Sequence, residues 1–216
     1  APIVFAQLMV ASIAAYGFTR WRGKVRDSLF FFYVILMLMP YQVTLVPNYL
    51  VSDWLHLLNT RWAIFLPGAF APFSVFLLTK FMRRIPMAVI ESAKIDGANS
   101  FRILWNVFLP TSKPILAVIT LFYAVGHWND FYSALIYINS QQLLPLQSIL
   151  RKLLLSTQMT LQITSSMSPD EIMRKTQLAQ TLKYSSIIVS TVPVLCLYPL
   201  VQKHFVKGIM IGSVKG

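Results

Sequence analysis

Charged residues are scarce in this chain. They make up 12% of its 216 residues, whereas hydrophobic residues make up 56%. An ordinary soluble domain carries about 25% charged residues, so this chain cannot cover a water-facing surface, and soluble and disordered classes are excluded. The one cysteine, Cys196, cannot form a disulfide within the chain, which excludes a disulfide scaffold. The composition therefore indicates a membrane protein.

Acidic residues are scarcer than basic ones. There are 7 Asp and Glu against 19 Lys and Arg, which gives a formal net charge of +12. In a soluble protein such an excess would indicate nucleic-acid binding. Here the basic residues cluster between apolar runs, as in the cytoplasmic loops of membrane proteins, and no nucleic-acid partner is expected. The sequence also lacks the nucleotide-binding pattern G-x-x-x-x-G-K-[ST], so this chain is not expected to hydrolyse ATP itself.

Five apolar stretches are long enough, or nearly so, to cross a bilayer core, which takes about 20 helical residues. They cover residues 1–19, 28–52, 62–80, 114–138 and 184–203. Thirteen of the 19 basic residues lie at the last position of the first, third or last stretch or in the segment that follows it, and loops rich in Lys and Arg face the cytoplasm. The C-terminus is therefore predicted inside and the first residue outside. An outside start without a signal peptide predicts one further upstream helix, and hence an all-α bundle of six spans.

The predicted cytoplasmic connection over residues 83–112 carries the most specific pattern. Pro86 suits the first turn of a helix, and Gly97 suits a left-handed C-cap. Ser100 can N-cap a second helix, which Pro110 would end. Two short helices meeting at a sharp bend are therefore predicted. From the residues alone, this unit could lie on the lipid surface or dock onto a partner protein.

The bend also carries a recognisable motif. It reads E-S-A at 91–93, then Gly97 after three residues, then V-F-L-P at 107–110 after nine more. This spacing resembles the EAA loop of ABC importer permeases, with Ser in place of Ala and Val in place of Ile. Further stretches, at 39–49, 128–131 and 207–216, resemble the maltose-transporter type of carbohydrate-uptake permease, in the branch for complex saccharides.

The resemblance implies a type I importer fold, of which five of six spans are visible, and a transport subunit rather than an enzyme. It implies ATP-driven, binding-protein-dependent import of a saccharide by alternating access, in a bacterial or archaeal cytoplasmic membrane. The implied partners are a second homologous permease, two ATPase subunits that hold ATP and Mg, and an extracytoplasmic solute-binding protein. Import of a non-sugar solute is the alternative.

In such importers the EAA helix sits in a groove of the ATPase. Glu91 is expected to meet a basic partner there, because a charge-assisted pair fixes orientation. The expected coupling residues are Glu91, Ser92, Ala93, Asp96, Gly97, Val107, Leu109 and Pro110.

A polar cluster interrupts the outer half of the stretch 114–138. Polar side chains at that depth are costly unless they face protein or water, which makes them candidates for sugar contact. The alternative is an interfacial aromatic belt with structural hydrogen bonds. A polar stripe in the stretch 28–52 could line a pathway or join helices. The candidate pathway residues are Tyr41, Gln42, Asn48, Trp128, Asn129, Asp130 and Tyr132.

A membrane enzyme is the alternative function for the polar cluster, with His127 and Asp130 as its candidate residues. These two could nominally share a metal, but two ligands do not make a metal site, and none is expected.

The connection 139–182 is predicted external and contains a capping box at Ser168 and Glu171, with Pro169 starting a helix. By resemblance this connection contacts the solute-binding protein; a lid over the bundle is the alternative.

Overall fold

The computed structural model describes residues 2–69, 71–162 and 168–213, without the side chains of 159–162 and 200–213. Every regular element in these ranges is helical. The C-terminal stretch 207–216, which contributed to the resemblance, lies outside the described side chains. The α-helices are α1 Pro2–Arg20, α2 Lys24–Leu38, α3 Tyr41–Trp54, α4 Arg61–Phe65, α5 Pro72–Met82, α6 Met87–Ile95, α7 Ser100–Ile103, α8 Leu109–Thr111, α9 Lys113–Asn129, α10 Tyr132–Tyr137, α11 Leu146–Gln162 and α12 Pro169–Ser213. A π-helical segment, Leu104–Phe108, joins α7 to α8, and a short 3₁₀ segment, Gln141–Leu143, precedes α11.

Two helices in the described part are long and apolar enough to cross a membrane alone. They are α1 and the Pro169–Pro199 part of α12. Two bent pairs also qualify if each counts as one broken span. These are α2 with α3, bent by 104°, and Ser100–Thr111 with α9, bent by 79°.

The predicted stretch 28–52 is therefore two helices rather than one. Pro40 follows Met39, whose ψ of 131° is extended, because a residue before proline avoids the helical region. Pro47, by contrast, lies inside α3 without ending it. The composition of this stretch identified it as apolar, but the break comes from backbone sterics at a single position.

Two other stretches are also broken. The stretch 62–80 is divided between α4 and α5, because Ala71 is extended before Pro72. The stretch 114–138 is helical only to Asn129, where Asp130 is extended with φ −76° and ψ 92° before the short α10 begins.

The core lies where α1, α5 and α9 meet. Ala11 and Ala15 of α1, both almost fully buried, belong to the same apolar cluster as Leu78 of α5 and Ile119 of α9. Small residues of this kind let helix backbones approach closely in a membrane. Near the C-terminal end of α1, Tyr16 makes an edge-to-face contact with Phe108, with 5.0 Å between ring centroids.

Candidate functional site

The end of α6 is fixed by a Schellman cap. Gly97 has a φ of +78°, the left-handed region that glycine enters without strain. Its N–H donates to the Lys94 carbonyl at 3.0 Å, and the Ala98 N–H donates to the Ala93 carbonyl at 2.9 Å. These two bonds satisfy carbonyls that would otherwise be orphaned at the helix end. The left-handed cap predicted at Gly97 is confirmed.

The second helix of the bend begins one residue earlier than predicted. Asn99, not Ser100, is the N-cap, since its side-chain oxygen accepts the Arg102 N–H at 2.8 Å. Both residue types favour this position, and sequence alone does not separate neighbours that are both good caps. The bend therefore consists of a Gly97 cap followed almost at once by an Asn99 cap.

The prediction that Pro110 ends this helix is wrong. The helical backbone continues to Thr111 through the π-helical segment Leu104–Phe108. There the Leu109 N–H reaches back five residues to the Leu104 carbonyl. Pro110 then occupies the first turn of α8, where its missing N–H costs little. The sharp break comes two residues later, at Ser112.

One face of the bend is packed into the core. Ile90 of α6, Ile103 of α7 and Phe108 are buried within the same cluster as the membrane helices. The motif residues Ala93, Val107 and Leu109 are half-buried and pack against that cluster. The bend and these helices therefore share one packed core.

The opposite face of the bend is exposed and apolar. Ile95 is 87% exposed and Phe101 is 65% exposed, and Phe101 stacks on Trp105 with 6.2 Å between ring centroids. Glu91 and Asp96 are also exposed, as are Ser92 and Gly97. Among the described residues no salt bridge engages Glu91. The face thus combines exposed apolar area with exposed acidic groups, a combination that suits a docking surface.

At the C-terminal end of α9, away from the bend, two candidate pathway residues have structural partners. The Trp128 Nε1–H donates to the Ser190 carbonyl at 2.8 Å, which ties α9 to α12. Asp130 accepts the Ser133 N–H at 3.0 Å and so fixes the start of α10. Both contacts support the structural alternative for these two side chains.

Two other candidates come together. Tyr41 of α3 and Tyr132 of α10 make an edge-to-face contact with 6.1 Å between centroids, and both are exposed. Among the other candidates, Gln42 and Asn129 are exposed and Asn48 is half-buried. An exposed aromatic pair next to polar groups is a surface that can pack against a sugar ring.

His127 has a structural partner that the sequence did not suggest. Its Nε2–H donates to the Gln7 amide oxygen at 2.8 Å, and the Gln7 Nε2–H donates to the Gly68 carbonyl at 2.9 Å. Gln7 is 3% exposed. This chain of bonds joins α9, α1 and the turn before α5. A lone amide within the apolar run 1–19 was the available signal for it.

A second unforeseen set of contacts surrounds Asn59. Asn59 has a φ of +58°, and its side-chain oxygen accepts the N–H groups of Asn139 and Ser140 at 3.1 and 2.8 Å. Its Nδ2 donates to the Ser140 Oγ at 2.8 Å.

The capping box predicted at the start of α12 is confirmed. The Ser168 N–H donates to the Glu171 carboxylate at 3.2 Å, and the Glu171 N–H donates to the Ser168 Oγ at 3.4 Å.

Replacing Trp128 by phenylalanine tests its structural role. The variant keeps an aromatic ring but loses the N–H that reaches Ser190, a bond worth about 1 kcal/mol. We expect the melting temperature to fall by about 2–4 °C with the KM for transport unchanged. A raised KM at an unchanged melting temperature would instead assign Trp128 to the substrate path.

Comparison with known proteins identifies the family. Residues 7–211 match the model of the "binding-protein-dependent transport system inner membrane component". LplC of Bacillus subtilis is 39% identical over 97% of this chain and 69% of its own length. The polygalacturonan/rhamnogalacturonan transport system permease YtcP, from the same organism, is 39% identical over 97% of this chain and 71% of its own length.

A solved structure agrees with the sequence relatives. The crystal structure of a bacterial ABC transporter that imports the acidic polysaccharide alginate matches 94% of this chain and 71% of its own, with a TM-score of 0.75 and 27% identity. Because these relatives are transport permeases, the membrane-enzyme alternative at His127 and Asp130 is wrong. The chain belongs to the family of inner-membrane components of binding-protein-dependent transport systems, and it is a transport permease rather than an enzyme.

Proposed function

We propose that this chain is a permease subunit of an ATP-driven importer that translocates a saccharide by alternating access. The carbohydrate class is supported by the relatives, among them a polygalacturonan/rhamnogalacturonan permease and an arabinooligosaccharide permease that is 25% identical. The functional unit would pair this chain with a second permease, two ATPase subunits and an extracytoplasmic solute-binding protein. A non-sugar solute is the alternative.

The observation that carries the proposal is the two-sided bend of residues 87–111. Its exposed face presents Glu91, Ile95 and Phe101, whereas its packed face is buried in the core that holds α1, α5 and α9 together. An ATPase docked on the exposed face would move these helices as one body. Because native packing is close and poorly compressible, such a push is transmitted rather than absorbed. ATP and Mg would be bound in the ATPase.

The substrate path is proposed to pass the exposed pair Tyr41 and Tyr132. Their rings would pack on the faces of sugar rings, while Gln42, Asn48 and Asn129 would bond hydroxyl groups. Trp128 and Asp130 would have a structural role beside the path, through their bonds to Ser190 and Ser133. The basic loops support a cytoplasmic position for the bend and the C-terminus.

The external partner is proposed to dock on α11 and the first turns of α12. Both helices are largely exposed here, and Arg151 lies over the Phe131 ring at 4.2 Å. This contact ties the start of α11 to the short segment between α9 and α10. A bound partner could thus influence the pathway end of α9 directly.

Replacing Glu91 by glutamine tests the coupling. The variant keeps the shape of the side chain but removes the charge, so the interaction with a basic ATPase residue is weakened. We expect the assembled importer to lose about tenfold in transport per ATP hydrolysed, because a charge-assisted bond is worth about 1.5–3 kcal/mol. The measurement is substrate-stimulated ATPase activity and uptake in proteoliposomes.

Asp53→Asn is the matched control. Asp53 is also exposed and acidic, but it lies near the end of α3 and outside both proposed docking surfaces. Normal coupling in this control together with reduced coupling in Glu91→Gln supports the proposal. Equal coupling in both variants would count against docking at Glu91. Recovery of the intact chain without an ATPase subunit in a mild-detergent pull-down would contradict the importer itself.

A further inference from the structure

A strongly basic cavity lies where the basic end of α1 and the start of α2 approach α5 and α6. Its volume is about 760 Å³. No acidic side chain lines it in the part of the chain that the structure describes. Like charges gathered around one cavity repel one another, and an anion in the cavity would relieve that repulsion. The cationic residues that line it are Arg20, Arg22, Arg26, Arg83, Arg84 and Lys94.

Arg26 provides a second, independent observation. Its side chain is only 17% exposed, and its Nη2 lies 3.1 Å from the Asp27 carboxylate. Its Nε is buried and has no acceptor among the described residues. A buried donor without an acceptor costs free energy, and a phosphate oxygen in the cavity would supply the missing acceptor.

The position of the cavity along the membrane normal limits what can fill it. Arg20 is the last residue of α1, Arg26 lies in the first turn of α2, and Met82 is the last residue of α5. The cavity thus lies where three apolar helices reach the membrane surface. The neighbouring Trp21 is 50% exposed, as expected for an indole at the lipid interface.

The cavity wall is also partly apolar. Ile85, Met87 and Ile90 line it beside the arginines. A free phosphate ion would gain nothing from this wall, whereas the glycerol and upper acyl carbons of a lipid could lie against it. The combination of a cationic lining and an apolar wall therefore favours a lipid over a small inorganic anion.

We propose that this cavity binds the phosphate headgroup of an anionic phospholipid from the cytoplasmic leaflet. Basic pockets at this depth recognise such headgroups, and arginine forks match phosphate oxygens in pairs. The bound headgroup bridges Arg22 in the connection after α1 and Arg26 at the start of α2 to Arg83 and Arg84 in the connection after α5. It thereby braces the base of the bend against the membrane helices.

The test is native mass spectrometry of the assembled transporter released from nanodiscs of phosphatidylcholine with a minor share of phosphatidylglycerol. We expect the wild type to retain phosphatidylglycerol above its share in the nanodisc. The double variant Arg26→Gln with Arg84→Gln should retain about tenfold less, because each cation near a lipid surface contributes measurably to binding. Arg22→Gln, at an exposed position, is a milder variant that should lower retention without risk to folding.

The matched control is Arg151→Gln with Lys152→Gln, which removes the same charge from the start of α11. Unchanged retention in this control supports the assignment. An equal loss in the control, or full retention in both cavity variants, would overturn it. Release of the lipid by millimolar inorganic phosphate would assign the cavity to a free anion and would also overturn it. Loss of the ATPase subunit from the cavity variants at unchanged lipid retention would assign it to an acidic protein segment instead.

Discussion

Replacing Gly97 by valine is expected to reduce coupled transport at least about tenfold while leaving the external side of the protein intact. The φ of +78° at this position is a conformation that β-branched residues avoid, at a cost of about 1–3 kcal/mol. Unwinding the cap would also free the carbonyls of Ala93 and Lys94. We expect at least about a tenfold loss of substrate-stimulated ATPase activity, because about 1.4 kcal/mol corresponds to a factor of ten. The measurement is ATPase activity and uptake by the reconstituted importer.

The matched variant Gly97→Asn separates backbone strain from steric blocking. A Cβ at Gly97 meets no atom within 4 Å, so neither side chain clashes within this chain. Asparagine tolerates the left-handed region, so this variant should retain most of the coupling. Normal coupling in the valine variant would show that the bend does not depend on the cap. Equal loss in both variants would mean that any side chain at 97 blocks docking, and the backbone argument would fail.

Replacing Asn59 by alanine is expected to lower the free energy of unfolding by about 2–4 kcal/mol, through the contact between the α3–α4 connection and the segment after α10. The variant removes three side-chain hydrogen bonds to Asn139 and Ser140, each worth about 1 kcal/mol, and leaves alanine at a φ of +58°. Faster amide hydrogen exchange at Asn139 and Ser140 should accompany a lower melting temperature in detergent.

His56→Ala is the control for that measurement. His56 also has a positive φ, of +54°, in the same connection, so its replacement measures the backbone cost alone. We expect it to cost about 1–2 kcal/mol, with exchange at Asn139 and Ser140 unchanged. Equal destabilisation by the two variants would show that the hydrogen bonds of Asn59 contribute nothing measurable.

The features that the sequence predicted well are local. The left-handed cap at Gly97 and the capping box at Ser168 depend on residues within a few positions of each other, so short patterns contain the necessary information. The EAA spacing is also local, and the family comparison confirms the resemblance. Where two neighbours compete for one role, as Asn99 and Ser100 do, the local pattern gives the right turn but the wrong residue.

The features that the sequence missed depend on distant partners or on relaxed helix geometry. Asn59 contacts a residue 81 positions away, and Gln7 contacts one 120 positions away. No local pattern reports such pairs before the fold is known. Pro110 was misjudged because a stop signal assumes a regular α-helix, whereas the π-helical segment before it removes the conflict. The division of the polar cluster near Asp130 into structural and exposed groups depends on contacts between helices, which the sequence does not reveal.

The length of α12 has a mechanical consequence. Its 45 residues span about 68 Å, more than twice a bilayer core of about 30 Å. The arm from Pro169 to Ser190 contains no internal proline, since Pro193 and Pro199 lie beyond it. If the contact between Trp128 and Ser190 acts as a fulcrum, a tilt of about 10° there displaces the outer end of the arm by about 5 Å. A small change of angle between α9 and α12 at this contact would therefore become a displacement the size of a side chain at the Pro169 end of α12.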